Sequence, residues 1–253
     1  GAAITQVTIA SAANSTTFRY KNNTAEAVTF TAADNASYLS SATLNLAVGP
    51  GKLLLTGSSP IRSGDCTQYT ITTKDINDIT TNVSAATTIN LAKGASTGVF
   101  YGANDSSCSG AAVTSVIIAS GSSTQNFYFR DNKAESTVMT ITDGTSSMLQ
   151  DARTIVTTAR DIIITGASSA LSGSCQSFTA TIKDAASNTV TQASDLTLTL
   201  SDATAQGDFY AEADTTCTGS SLTSVTVLSG SNNISFRYKN LAAENVTLTV
   251  DDG

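Results

Sequence analysis

Apolar and polar side chains alternate over short stretches of this chain. Tyr69, Ile71 and Thr73 occupy every second position, and so do Thr87, Ile89 and Leu91, Phe127 and Phe129, and Thr137, Met139 and Ile141. Residues at i, i+2 and i+4 line one face of a sheet, so each set predicts a half-buried strand. Turn chemistry separates the sets: Ser120-Gly121-Ser122, Ser229-Gly230-Ser231, Asp143-Gly144, and Asp184 to Asn188. No stretch keeps a helical period. Residues 147–160 come nearest, but their Thr-Ile-Val-Thr-Thr stretch reads as strand or linker.

The pattern repeats. Residues 6–34, 115–143 and 224–252 align without a gap, and the same step carries Cys66 to Cys175, Cys108 to Cys217, Phe100-Tyr101 to Phe209-Tyr210, and Lys74-Asp75 to Lys183-Asp184. The period is about 109 residues, with about seven short strands, which is the size and rhythm of an immunoglobulin-like sandwich. A barrel of similar size is the alternative. The fold class expected is therefore all-β: tandem immunoglobulin-like β-sandwiches. Phe18 and Tyr20 align with Phe127 and Phe129 and are expected on a strand. The expected division is 1–43 as closing strands of an incomplete preceding module, 44–150 as one module and 151–253 as another. An isolated remnant of two or three strands is marginal in water. The chain is accordingly read as a window on a longer array, with docking of the remnant on a neighbouring subunit of a filament as the alternative.

Four cysteines allow three pairings. The repeat selects pairing within a period, Cys66 with Cys108 and Cys175 with Cys217. There is no CxxC spacing, no histidine and no basic neighbour to activate a thiol. Each bridge would close a loop of about 43 residues, worth about 4 kcal/mol on a chain-entropy model. Structural disulfides, one per module, place the chain in an oxidising compartment, secreted or at the cell surface.

Composition narrows the chemistry. A net charge of -7 and only 13 Lys and Arg speak against nucleic acid, which needs a basic stripe. The absence of histidine removes Ser-His-Asp and Cys-His catalysis and HExxH zinc sites. No apolar run approaches the roughly 18 residues that cross a bilayer as a helix. Acids such as Asp105 with Asn104, Asp214 with Glu212, and Asp251 with Asp252 form no dense calcium loop, so no metal or cofactor is expected. The recurring Lys21, Arg130 and Lys239, with Glu26, Glu135 and Glu244, read as turn chemistry and cross-strand pairs. Lys74 with Asp131 and Glu135 supplies the residue types for an isopeptide bond, a sharper reading of the same charges.

The stretch SGSCQSFTATIKDAASNTVTQASDLTLTLS, then GDFYAEADTTC, then SLTSVTVLSGSNNISFRYKN and ENVTLTVDDG, resembles the bacterial immunoglobulin-like, invasin-type tandem modules of large surface proteins. The two cysteines per period depart from the usual pattern. The resemblance implies stalks, fibres, adhesins or appendages, with neighbouring modules or further copies as partners. The function expected is a disulfide-stapled spacer of an extracellular stalk or fibre, not an enzyme. The alternatives are an adhesive module binding a host protein or glycan, and a subunit of a polymeric filament. For adhesion the candidate surface is Phe100, Tyr101, Phe209 and Tyr210, with core packing as the competing explanation.

Overall fold

The computed structural model describes residues 3–203 and 206–253, and all regular structure among them is strand. A hairpin of β1 (Ala27–Ala32) and β2 (Ala42–Ala47) comes first. The first sandwich holds β3 (Lys52–Gly57), β4 (Ile61–Arg62), β5 (Thr67–Lys74), β6 (Thr87–Ala92), β7 (Val99–Tyr101), β8 (Ser115–Ile118), β9 (Thr124–Arg130), β10 (Ser136–Asp143) and β11 (Asp151–Thr158). The second holds β12 (Asp161–Gly166), β13 (Gln176–Lys183), β14 (Leu196–Asp202), β15 (Gly207–Ala211), β16 (Ser224–Val227), β17 (Asn233–Asn240) and β18 (Leu248–Asp251).

The layers of the first sandwich run β3-β5-β9-β7 and β4-β11-β10-β6-β8. Those of the second run β12-β13-β17-β15 and β16-β14-β18. β5 shows why these segments are strands. Its β-branched and aromatic residues suit a pleated surface, and Tyr69, Ile71 and Thr73 point inward and are buried. Between the layers Tyr69, Phe100, Phe127 and Phe129 pack as neighbouring rings, with centroids 5.3 to 6.4 Å apart. Phe178, Phe209, Phe236 and Tyr238 repeat the cluster in the second sandwich.

The division of the chain differs from the sequence expectation by one strand. β11 pairs antiparallel with β10 and parallel with β4, so it is the last strand of the first sandwich. A break at 150/151 would cut it away, whereas the sheets part at Ala159 and Arg160. In the same way β2 pairs with β1, so the N-terminal piece runs past residue 43. The sequence could not show this, because a terminal strand belongs to whichever sheet bonds it.

Residues 15–21 align with β9 but form no strand. Their counterparts Phe127 and Phe129 are held between β5 and β7, and those strands have no equivalents before β1 among the described residues. Phe18 and Tyr20 instead lie exposed against Phe30, with ring centroids 6.3 and 4.7 Å away. At the other end β18 corresponds to β10, yet no described strand covers its outer edge as β11 covers β10. Met139 and Ile141 are fully buried, whereas Leu248 and Val250, one period on, are only half-buried.

Candidate functional site

Cys66 is bonded to Cys108 and Cys175 to Cys217, each pair with Cα atoms 5.6 Å apart. The bridge joins the entry to β5 with the turn that follows β7, and the entry to β13 with the turn that follows β15. An aspartate organises each turn. Asp105 accepts hydrogen bonds from the Gly110 N–H at 2.8 Å, the Ser109 N–H at 3.2 Å and the Ser107 hydroxyl at 3.2 Å. Asp214 does the same with Gly219, Thr218 and the Thr216 hydroxyl at 2.8, 3.0 and 3.1 Å. These bonds, the glycine N–H foremost, hold both carboxyls below their ordinary range. The D-x-x-C-x-G spacing is thus the mould that presents each second cysteine. No cluster of three or more His, Cys, Asp or Glu suited to a metal ion occurs among the described residues.

Strand alternation splits the candidate adhesive pairs. Phe100 and Phe209, each 4% exposed, point into the two cores, where they pack on Phe127 and Phe236. They cannot offer a contact surface. Tyr101 and Tyr210 point the other way and are partly exposed.

The recurring charges serve turns. Asp75 accepts the N–H groups of Asn77 and Ile79, both at 2.9 Å. Asp184 accepts those of Ala186 and Asn188 at 3.0 and 2.8 Å. Lys74 and Lys183 donate to the carbonyls of Asp78 and Ser187 across the same turns, at 2.9 Å. Lys74 therefore lies apart from the other two isopeptide candidates. It ends β5, whereas Asp131 follows Phe129, which pairs with Thr67 at the opposite end of that strand.

What the sequence did not reveal is the use of the second turn. Only Ala159 and Arg160 separate β11 from β12, and there the turn at Asp184 docks on the first sandwich. The Ala134 N–H donates to Asp184 at 3.1 Å, the Ala185 N–H to the Ser63 hydroxyl at 3.0 Å, and the Ala186 N–H to the Asn132 carbonyl at 3.0 Å. Arg62 donates its guanidinium to the Arg160 carbonyl, and the Ser63 N–H donates to the Thr158 carbonyl at 3.1 Å. Ser63, Asp131 and Asp184 are all at most 2% exposed. Beside them Glu135 accepts the Thr97 N–H at 2.8 Å and pairs with Lys133 at 3.0 Å. Burial pushes both carboxyls up. For Asp184 the bonds from the Asn188 side chain and the Ala134 N–H outweigh it and hold the group below its ordinary value. For Glu135 the bonds from the Thr97 N–H and Lys133 bring it down to about 2. The turn at Asp75 meets the N-terminal piece in a looser version of this seam, with the Ile76 N–H on the Asn23 carbonyl at 3.3 Å and the Asn77 amide on the Thr24 hydroxyl at 3.2 Å. Ser63 and Asp184 could be seen to recur, but as ordinary turn residues; nothing in their spacing marks an interface.

No family model matches the sequence, and no curated protein matches it. Solved structures do. FdeC, an Escherichia coli adhesin, aligns over 91% of this chain and 70% of its own at 14% identity, with a TM-score of 0.52. The D00-D0 domain of intimin aligns over 79% and 92% at 12% identity, with a TM-score of 0.42. The Yersinia pseudotuberculosis adhesin InvE aligns over 79% and 56% at 9% identity, with a TM-score of 0.30. The last two scores are too low to carry argument. The likeness to FdeC is one of fold, and with the strand pairing above it establishes an all-β architecture of tandem immunoglobulin-like β-sandwiches.

Proposed function

We propose that this chain is a spacer segment of an extracellular bacterial stalk or fibre, built from modules that hold a fixed angle to one another. The observation that carries this reading is the buried, hydrogen-bonded seam between the two sandwiches. A two-residue connection flanked by three hydrogen bonds from one sandwich to the other, with Arg62 holding the Arg160 carbonyl of the connection itself, leaves little freedom for bending, whereas a flexible linker would be longer and unbonded. The bridge within each sandwich supports an oxidising location, and the fold shared with an adhesin supports a bacterial surface. Each module would add about 40 Å along the fibre. Its partners are neighbouring modules, and no catalytic role is proposed.

Small-angle scattering of the intact chain tests this. A rod profile is expected at neutral pH. Asp184→Ala, which removes the acceptor for Ala134 and unties the turn, is expected to broaden the profile while both sandwiches stay folded. A broad, flexible profile from the unmodified chain would sink the reading. The pH arm has a defined sign. Asp184, the carboxyl that accepts across the seam, is held below its ordinary value of 3.8, so its contribution is fully present above that value and is lost as pH falls through the lowered one. The rod is therefore expected to loosen on acidification, and less so in Asp184→Asn, which has no charge there to lose.

A further inference from the structure

Beside the seam lies a groove of about 320 Å³, formed by both sandwiches and lined by Val99, Tyr101, Arg130, Asn132, Lys133 and Asn188. Val99 stands opposite Arg130, and Tyr101 opposite Tyr128, on the outward face of the β7–β9 pair. Arg130 donates its Nε to the Asn132 side-chain carbonyl at 3.1 Å. Its two Nη groups meet no acceptor among the described residues. Lys133 is neutralised by Glu135, so the unpaired positive group of the groove is this guanidinium, on a chain whose net charge is -7. Asn132 makes no hydrogen bond with its amide N–H groups among the described residues. Asn188 turns its amide N–H groups to Asp184, and its side-chain carbonyl meets no donor among the described residues. The core needs neither an outward aromatic nor an outward cation at these positions, yet the repeat keeps both types: Tyr101 and Tyr210, and Lys21, Arg130 and Lys239.

We infer that this groove binds an acidic sugar unit, its carboxylate on Arg130, one face of its ring on Tyr101, and its hydroxyls on Asn132 and Asn188. A guanidinium with both Nη groups open matches a carboxylate fork to fork. An aromatic ring offers an apolar platform to the C–H face of a pyranose, and planar amides pair with neighbouring hydroxyls in either direction. The volume suits about one ring, near the lower end for small-ligand sites. An extended acidic peptide fits less well. The outer edge of β7 is already engaged through the Tyr101–Ala112 bridge and the Val113 N–H on the Phe100 carbonyl, so a peptide has little backbone left there to pair with. This inference is independent of the spacer reading.

The test is a titration of the intact chain, followed by backbone amide NMR, with D-glucuronate as probe. D-glucose and a short glutamate-containing peptide serve as controls. Saturable shifts are expected at Tyr101, Arg130, Asn132 and Asn188 with glucuronate alone. Arg130→Gln should weaken binding by about tenfold or more, and Tyr101→Ala should weaken it too. Unchanged spectra away from the groove would show that both variants remain folded. The inference is overturned by absence of a saturable shift, by equal affinity in Arg130→Gln, or by equal binding of glucose. Equal binding of the peptide would also overturn it and would make the groove a general carboxylate site. None of these outcomes alters the rod profile that tests the spacer.

Discussion

At the scale of single residues, the most informative positions are glycines that stand opposite aromatic rings. Gly57 pairs across the ladder with Tyr69, and Gly166 with Phe178. A Cβ built on either glycine lands on that ring, because each ring lies flat over the neighbouring strand where a side chain would otherwise stand. The Tyr69 hydroxyl is thereby aimed at the Ser58 carbonyl at 2.7 Å, and burial pushes the phenol up to about 12. Gly57→Ala must move the ring or bend the strand, at a cost of about 1–3 kcal/mol. For a domain of this size that lowers the melting temperature by roughly 4–8 °C per kcal/mol. Gly49, with open space around it, is the control: Gly49→Ala is expected to leave the melt unchanged. Equal melting of the two variants would show that the glycine–ring pair has no steric content. The recurrence of Thr-Gly at this step was legible in the sequence, whereas the ring it shelters was not, since Tyr69 lies on another strand.

Among elements, alternation was a reliable guide wherever a strand had neighbours on both sides. β5, β6, β9 and β10 sit where the pattern placed them, and their inward residues are the buried ones. It failed where partners decide. Residues 15–21 have the pattern of β9 without its sheet, and β11 was assigned to the wrong neighbour because a strand's own sequence does not say which sheet will bond it. The repeat turns that failure into a prediction. β18 has the register of β10 but lacks its outer neighbour among the described residues. Met139 faces Arg153 and Ile141 faces Asp151 on β11, so the counterparts Leu248 and Val250 should accept the same strand. Appending a copy of residues 145–158 after Gly253, the counterpart of Gly144, is expected to bury Leu248, Val250 and the added isoleucine, for about 1.5–3 kcal/mol. The melting transition of the second sandwich should rise while that of the first stays put. A copy in which the isoleucine equivalent to Ile155, itself fully buried, is replaced by aspartate should lose the gain. If both copies stabilise equally, the added chain is not entering the sheet.

For the molecule as a whole, the question is how a pull on the two ends of a sandwich passes through it. Force enters a sandwich at the start of β3 and leaves at the end of β11. These two ends are joined in parallel: Lys52 bridges Leu149, the Leu53 N–H donates to the Leu149 carbonyl at 2.9 Å, and β4 pairs parallel with Thr157 and Thr158. Opposite pulls on parallel neighbours load their hydrogen bonds together in shear rather than one after another, so the sandwich should yield in a single step. Once it yields, the bridge from Cys66 to Cys108, with a sequence separation of 42, keeps β5, β6 and β7 out of the extended chain. At about 3.5 Å per extended residue, less a folded length of about 40 Å, each oxidised module should lengthen by about 180 Å and each reduced module by about 330 Å. Single-molecule pulling of the intact chain with and without a reductant measures both values. Equal increments in the two conditions would mean that the bridge does not shield the loop under load. A ladder of small steps in place of one would mean that the parallel ends are not the clamp.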